Sequence, residues 1–279
     1  MRISGFGSPI AKGNEMIRTG IGGWVYPDWR KGVFYPEGLV QKRELEWASR
    51  QLGAIEINGT YHSLQKPESF RKWREATSDG FVFAVKGSSY ITNRKVLAAA
   101  GEALPKFFGQ GLEELGDRLG PILWQLMATK KFDADDIAAF FALLPRELKG
   151  LPLRHAIEVG HESFACAEFV EIARAAGVAI VWCEQEGRVP IADRTADLAY
   201  ARCKGTQADV ATGYPPSEID RLAVLCRAWE NGEAPMNLPY AGNPADSRGK
   251  GGDIFAFVIA GAKERNPAAA MALAQRLAG

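Results

Sequence analysis

Two amides, a lysine and a glutamate share one placement in this chain: Asn58, Lys86, Gln125 and Glu158 each end a short apolar run, the first of which also carries Glu56. The runs are Ala54-Ile55-Glu56-Ile57-Asn58, Phe81-Val82-Phe83-Ala84-Val85-Lys86, Pro121-Ile122-Leu123-Trp124-Gln125 and His155-Ala156-Ile157-Glu158. A carboxylate in a partly buried setting acts as general acid or base once its pKa is tuned. Lysine and arginine beside it neutralise a bound anion. A buried strand has no use for a terminal charge unless the charges of several strands meet. The mouth of a parallel barrel provides that meeting.

Side chains alternate along a strand, so Glu56 and Asn58 share one face, and Val82, Ala84 and Lys86 share another. Bulky Phe81 and Phe83 suit an outer helix layer, which turns the Lys86 row into the lumen. The same alternation points Glu158 inward with Ala156, and Arg202 inward with Leu198 and Tyr200. Glu56 and Glu158 are then the candidate catalytic carboxylates. Lys86, Arg202 and Lys204 would neutralise an anion, with Glu184 nearby, and Asn58, Thr60 and Gln125 would orient it.

Two neutral accounts compete with this one. Buried charges need partners, so the same residues also describe a purely structural ion-pair network. The loop Trp24-Val25-Tyr26-Pro27-Asp28-Trp29, with Phe34-Tyr35-Pro36, either stacks on a ligand through Trp24 and Tyr26 or packs as a satellite cluster that pins the loop.

Strands are expected at Ile17 to Gly22, Ala54 to Asn58, Phe81 to Lys86, Pro121 to Leu126, His155 to Val159, Val178 to Cys183, Leu198 to Arg202 and Ile254 to Ile259. Helical spacing falls between them, at Gln41 to Leu52, Glu68 to Thr77, Asp133 to Leu144, Cys166 to Ala176, Pro216 to Trp229 and Pro267 to Leu277. Asp133 reads as an N-cap and Gly177 as a C-terminal stop. Eight strands alternating with helices predict an α/β fold, a (β/α)8 barrel over residues 17–279, with a short or missing helix after the sixth strand. An open doubly wound sheet is the rival, but Gly20-Ile21-Gly22-Gly23-Trp24-Val25 lacks the third glycine of its phosphate loop.

A net charge of +1, from 34 basic and 33 acidic residues, sets up no global field for nucleic acid. Residues 1–16 have no apolar core of a secretory signal and read as a loose leader, and the apolar runs are far too short for a membrane span. Cys166, Cys183, Cys203 and Cys226 contain no CxxC pair and read as small buried hydrophobes of a cytoplasmic protein. With three histidines, His62, His155 and His161, no cofactor and no multi-zinc centre is expected. One divalent cation between Glu56 and Glu158 stays open, as does a glycosidase pairing of the two.

The chain resembles the YecE-like family, whose domain is called "of unknown function seventy-two". The likeness is carried by Gly22-Gly23-Trp24-x-Tyr26-x-x-Trp29, Glu56-x-Asn58-x-Thr60-Tyr61 and Phe83-Ala84-Val85-Lys86. Gly120-Pro121-Ile122-Leu123-Trp124-Gln125-Leu126, Glu158-x-x-His161-x-Ser163-Phe164, Tyr200-x-Arg202 and Asp253-Ile254-Phe255-Ala256-Phe257 continue it. The resemblance implies a TIM barrel of unsettled activity, similar to the endonuclease IV-like group, and adds His161 to the candidate ligand-binding residues. Tyr61 is a further candidate from its place in the polar segment Thr60-Tyr61-His62-Ser63 just after the second strand. This chain departs from the pattern at Asn93, Met127, Gly160 (the usual arginine), Lys204 (the usual histidine) and Ala260-Gly261-Ala262-Lys263. Lys204 and Lys263 restore positive charge, which suits a phosphate. The expected function is an enzyme, a hydrolase or lyase, on a small phosphorylated or sugar-phosphate ligand. Nucleic-acid binding and a non-catalytic scaffold are the alternatives.

Overall fold

A computed structural model describes residues 17–249 and 251–279; the expected leader, residues 1–16, lies outside the described residues. The barrel strands are Ile17–Gly22 (β1), Ala54–Ile57 (β2), Val82–Lys86 (β3), Leu119–Gln125 (β4), His155–Glu158 (β5), Val178–Glu184 (β6), Leu198–Cys203 (β7) and Asp253–Val258 (β8). All pair in parallel, and the ring closes where Gly20 of β1 is level with both Ala54 of β2 and Phe257 of β8. A Cβ at Gly20 would lie 2.3 Å from the Ala54 carbonyl oxygen and 3.0 Å from the Phe257 ring, so this closure requires glycine. The (β/α)8 barrel is therefore formed.

Outside the ring lie Glu44–Gln51 (α1), Pro67–Ala76 (α2), Ala103–Phe108 (α3), Ala134–Leu143 (α4), Ala167–Ala176 (α5), Pro216–Glu230 (α6) and Asn266–Ala278 (α7). The Asp133 carboxylate accepts from the Asp136 N–H at 3.0 Å and so starts α4. Gly177, at φ 60°, ends α5. Helix α3 was not expected: Pro105 interrupts its six residues and Gly101 and Gly109 flank it, which hides any period. No helix follows β6. Residues 185–197 run as a loop held by side chains: Asp193 accepts from the Ala241 and Gly242 N–H groups, and the Thr195 hydroxyl donates to the Val178 carbonyl at 2.5 Å.

The alternation along the strands sorts the core into two shells. Ile55, Phe83, Trp124, Ile157, Trp182 and Ile254 face the helices. Ala54, Ala84, Leu123, Ala156, Ala179, Leu198, Tyr200, Phe255 and Phe257 fill the lumen. Small residues on β2, β3, β5 and β6 leave room for the aromatics of β7 and β8, where Tyr200 lies 5.1 Å from Phe257 between ring centroids. At the amino end, Asp253 pairs with Arg18 at 2.9 Å and Arg154 at 2.7 Å. With one end closed by this cluster and the middle plugged by aromatics, the carboxyl end is left to polar side chains.

Candidate functional site

Arg202, near the end of β7, joins two carboxylates that are remote from it in sequence. Its Nη2 donates to Glu56 Oε1 at 3.0 Å and its Nη1 to Glu158 Oε2. The second oxygen of Glu56 accepts from the Tyr200 hydroxyl at 2.7 Å. Glu158 Oε1 accepts from Lys204 Nζ and from Gln125 Nε2, both at 2.8 Å. Both carboxylates are fully buried and Arg202 is 3% exposed. Burial alone would raise the Glu158 carboxyl; Arg202 and Lys204 outweigh it and hold the pKa down at about 2. Burial works against the Arg202 charge, and Glu56 and Glu158 reverse that so that its pKa rises. The place a cation between the two carboxylates would take is filled by the Arg202 guanidinium.

A further cation arrives from a loop. The turn after β6 is anchored to the end of β5 by the Val189 N–H, which donates to the Gly160 carbonyl at 3.1 Å. It carries Arg188, whose Nη1 stands 3.3 Å from Glu158 Oε1. That Nη1 is buried and out of hydrogen-bond alignment, and Arg202 Nε is likewise buried without an acceptor among the described residues.

Lys86 ends β3 on the lumen side. The Thr60 hydroxyl donates to its carbonyl at 2.6 Å and fixes its backbone. Its Nζ lies 4.2 Å from the centroid of the Tyr61 ring, a cation–π contact. Among the described residues it has no carboxylate within ion-pair distance. Burial first, then repulsion from Arg202, pushes its pKa down to about 8, although Glu56 and Glu158 pull the other way.

The expected site residues thus divide. The structure brings Glu56, Glu158, Lys86, Gln125, Arg202 and Lys204 to one rim, with Tyr61 beneath the lysine. Asn58 donates to the Glu56 carbonyl at 3.3 Å and stands just before the turn that carries Thr60 and Tyr61. Trp24 goes elsewhere. Its ring packs edge-on to Trp73 of α2 at 5.2 Å and against Phe83 on the outer face of β3, where apolar burial holds it. Tyr26 packs on Trp29 at 5.2 Å, under Lys263 Nζ at 5.2 Å, and Trp29 is pinned by its N–H to the Lys263 carbonyl. The aromatic loop is a satellite cluster. His161 turns its Nδ1 back to accept from the Ser163 N–H at 3.1 Å and so caps its own turn. Glu184 falls on the outer side, because its parity on β6 is that of Trp182, and it pairs with Arg221. Sequence reasoning missed Arg188 and the Tyr200–Glu56 bond; the glycine at 160 was the one signal for Arg188.

The family of unknown function DUF72 matches residues 18–279, nearly the whole described barrel. The chain belongs to the DUF72 family. It is 31% identical over 145 residues to the UPF0759 protein YecE of Escherichia coli (strain K12), a match covering 50% of this chain and 49% of that protein. The chain thus spans about half the length of the curated relatives it matches. A DUF72 family crystal structure from Thermotoga maritima MSB8 superposes with a TM-score of 0.67 at 22% identity, covering 93% of this chain and 97% of that one. One from Enterococcus faecalis V583 gives 0.64 at 17% identity, covering 94% and 95%. At such identities the DUF72 structures share the fold with this chain. Among the described residues no helix is long and apolar enough to cross a membrane.

Proposed function

We infer that this DUF72 chain is an enzyme that takes a small anionic ligand, a phosphorylated compound or sugar phosphate, at the carboxyl end of its barrel. One observation carries the reading: three cationic side chains, Arg188, Arg202 and Lys204, pair with two carboxylates at the rim, and a fourth cation, Lys86, stands there without a carboxylate partner among the described residues. Positive charge in surplus, with a buried Arg188 N–H lacking an acceptor, is the electrostatic counterpart of a phosphate. The surplus of positive charge is what supports a ligand-binding network over a purely structural ion-pair network.

Glu158 has no proton to give near neutrality, since its carboxyl is held at about 2. Burial pushes the Lys86 amine down to about 8, so we assign it an acid–base part beside Glu56, in a hydrolase or lyase reaction. The reading includes a cytoplasmic setting, which the free thiols Cys183, Cys203 and Cys226 support.

Titration calorimetry with glycerol 3-phosphate, ribose 5-phosphate and glucose 6-phosphate tests this. Binding by the wild type, reduced at least about tenfold in a folded Lys204→Met variant (roughly 1.4 kcal/mol), is the expected result. Absence of binding across the panel overturns it.

A second reading has its own observation. A cavity of about 490 Å³ beside the rim is lined by Arg94, Lys95, Lys130 and Lys131 among others. A basic strip of this kind is what a nucleic-acid backbone engages. Binding of a short oligonucleotide, lost on charge reversal of Lys95 and Lys131, would favour it.

A further inference from the structure

The Lys86 amine is the rim cation with no carboxylate in ion-pair distance among the described residues. Lys204 is shared between Glu158 and Gln185, and Arg202 is clamped by Glu56 and Glu158. Both carboxylates are thereby committed to other partners. Among the described residues Lys86 Nζ has the Tyr61 ring as its partner and neither an ion pair nor a hydrogen-bond acceptor. Its backbone is fixed twice: by the Thr60 hydroxyl, and by pairing at the level of Leu123 on β4. A half-buried, rigidly mounted amine without an anionic partner is the arrangement of a nucleophile, not of a structural ion pair.

We propose that Lys86 forms an imine with the carbonyl carbon of a phosphorylated aldehyde or ketone bound at this rim. The proposal rests on the anion reading above and names its substrate class. The depressed pKa supports it: with a value of about 8, about a tenth of the Lys86 population is neutral amine at pH 7. The Nζ lone pair attacks the carbonyl carbon, a C–N bond forms, and the C=O π electrons move to oxygen. The proton left on nitrogen passes to that oxygen, giving a carbinolamine. The nitrogen lone pair then forms C=N as the C–O bond breaks. Hydroxide leaves with the electron pair of that bond and becomes water with a proton from solvent. Amine plus carbonyl thus yields protonated imine, with one water released and no oxidant or reductant consumed. The positive charge stays over the Tyr61 face, where a cation–π contact holds an iminium as it held the ammonium. Arg188 and Lys204 remain to hold the phosphate.

Dihydroxyacetone phosphate, with sodium cyanoborohydride to reduce any iminium, is the probe. One reduced adduct per chain is expected by intact mass, and peptide mapping should put it on Lys86. The yield should fall about tenfold or more in Lys86→Met and in Lys86→Gln. Glycerol 3-phosphate, which has the phosphate but no carbonyl, should protect. Labelling spread over other lysines, or equal in a folded Lys86 variant, overturns the proposal. If glycerol 3-phosphate binds and no adduct forms, the imine fails while the anion reading stands; if neither occurs, both fail.

Discussion

Arg188 fills the space that any side chain at position 160 would need. A Cβ on Gly160 would lie 2.9 Å from Arg188 Nη1 and 2.9 Å from the Ala128 Cα. The glycine is thus what lets a guanidinium from the loop after β6 reach Glu158 at the end of β5.

Gly160→Ala should therefore act twice. The methyl group meets backbone at Ala128, which cannot swing aside, and displaces Arg188 from Glu158. A loss of about 1–3 kcal/mol in urea unfolding is expected, together with weaker binding of glycerol 3-phosphate. Arg188→Met should weaken binding with the smaller stability loss. Unchanged urea midpoints for Gly160→Ala would refute the packing account.

Glu158→Gln removes the charge on which Arg202, Lys204 and Arg188 converge. Breaking a buried pair by neutralising one partner costs about 3–5 kcal/mol. Tyr200→Phe, which takes one donor from Glu56 and leaves the other, should cost about 1–3 kcal/mol. Chemical denaturation of both variants ranks them, and the reverse order would contradict the geometry.

His155 predicts acid sensitivity. Trp124 Nε1 donates to its Nδ1 at 3.2 Å and its Nε2 lies 2.7 Å from the Pro145 carbonyl. Burial lowers its pKa from 6.5 to about 4, so the folded protein takes up this proton later than the unfolded chain. Stability is full above pH 6.5 and should fall by about 3 kcal/mol as pH drops to 4, then level for this group. Glu158, ionised down to about 2, adds a second loss between 4.5 and 2. His155→Gln should abolish the first phase in a pH series of unfolding free energies. A variant that keeps the slope between 6.5 and 4 excludes His155 as its source.

Lys86 should titrate well below a free lysine side chain. After ¹³C reductive methylation its resonance is expected to move near pH 8. Glu56 pulls this pKa upward, so Glu56→Gln should lower it further. A Lys86 signal that moves near the free lysine value of about 10.4 would remove the free-amine account.

The site was legible to the extent that it followed from alternation. Glu56, Lys86, Glu158 and Arg202 sit one or more periods of two from small or apolar lumen residues, and a closed ring gives that parity one meaning. The same rule applied to β6 would have sent Glu184 outward with Trp182. Trp24 could not be placed, since aromatic composition describes stacking and packing equally well; Trp73 and Phe83 decide for packing. Arg188 lies in a connector without period, and α3 is short and broken by Pro105. Such residues are positioned by tertiary contact, which leaves no pattern along the chain.

The account turns on where a phosphate ester goes. A crystal of the protein soaked in glycerol 3-phosphate measures this directly. The phosphate should lie between Arg188 and Lys204, with the glycerol carbons towards Lys86, at the rim closed by Glu56 and Glu158. Density for the ester in the groove lined by Arg94 and Lys131, or on the outer wall with the rim empty of it, would contradict the account.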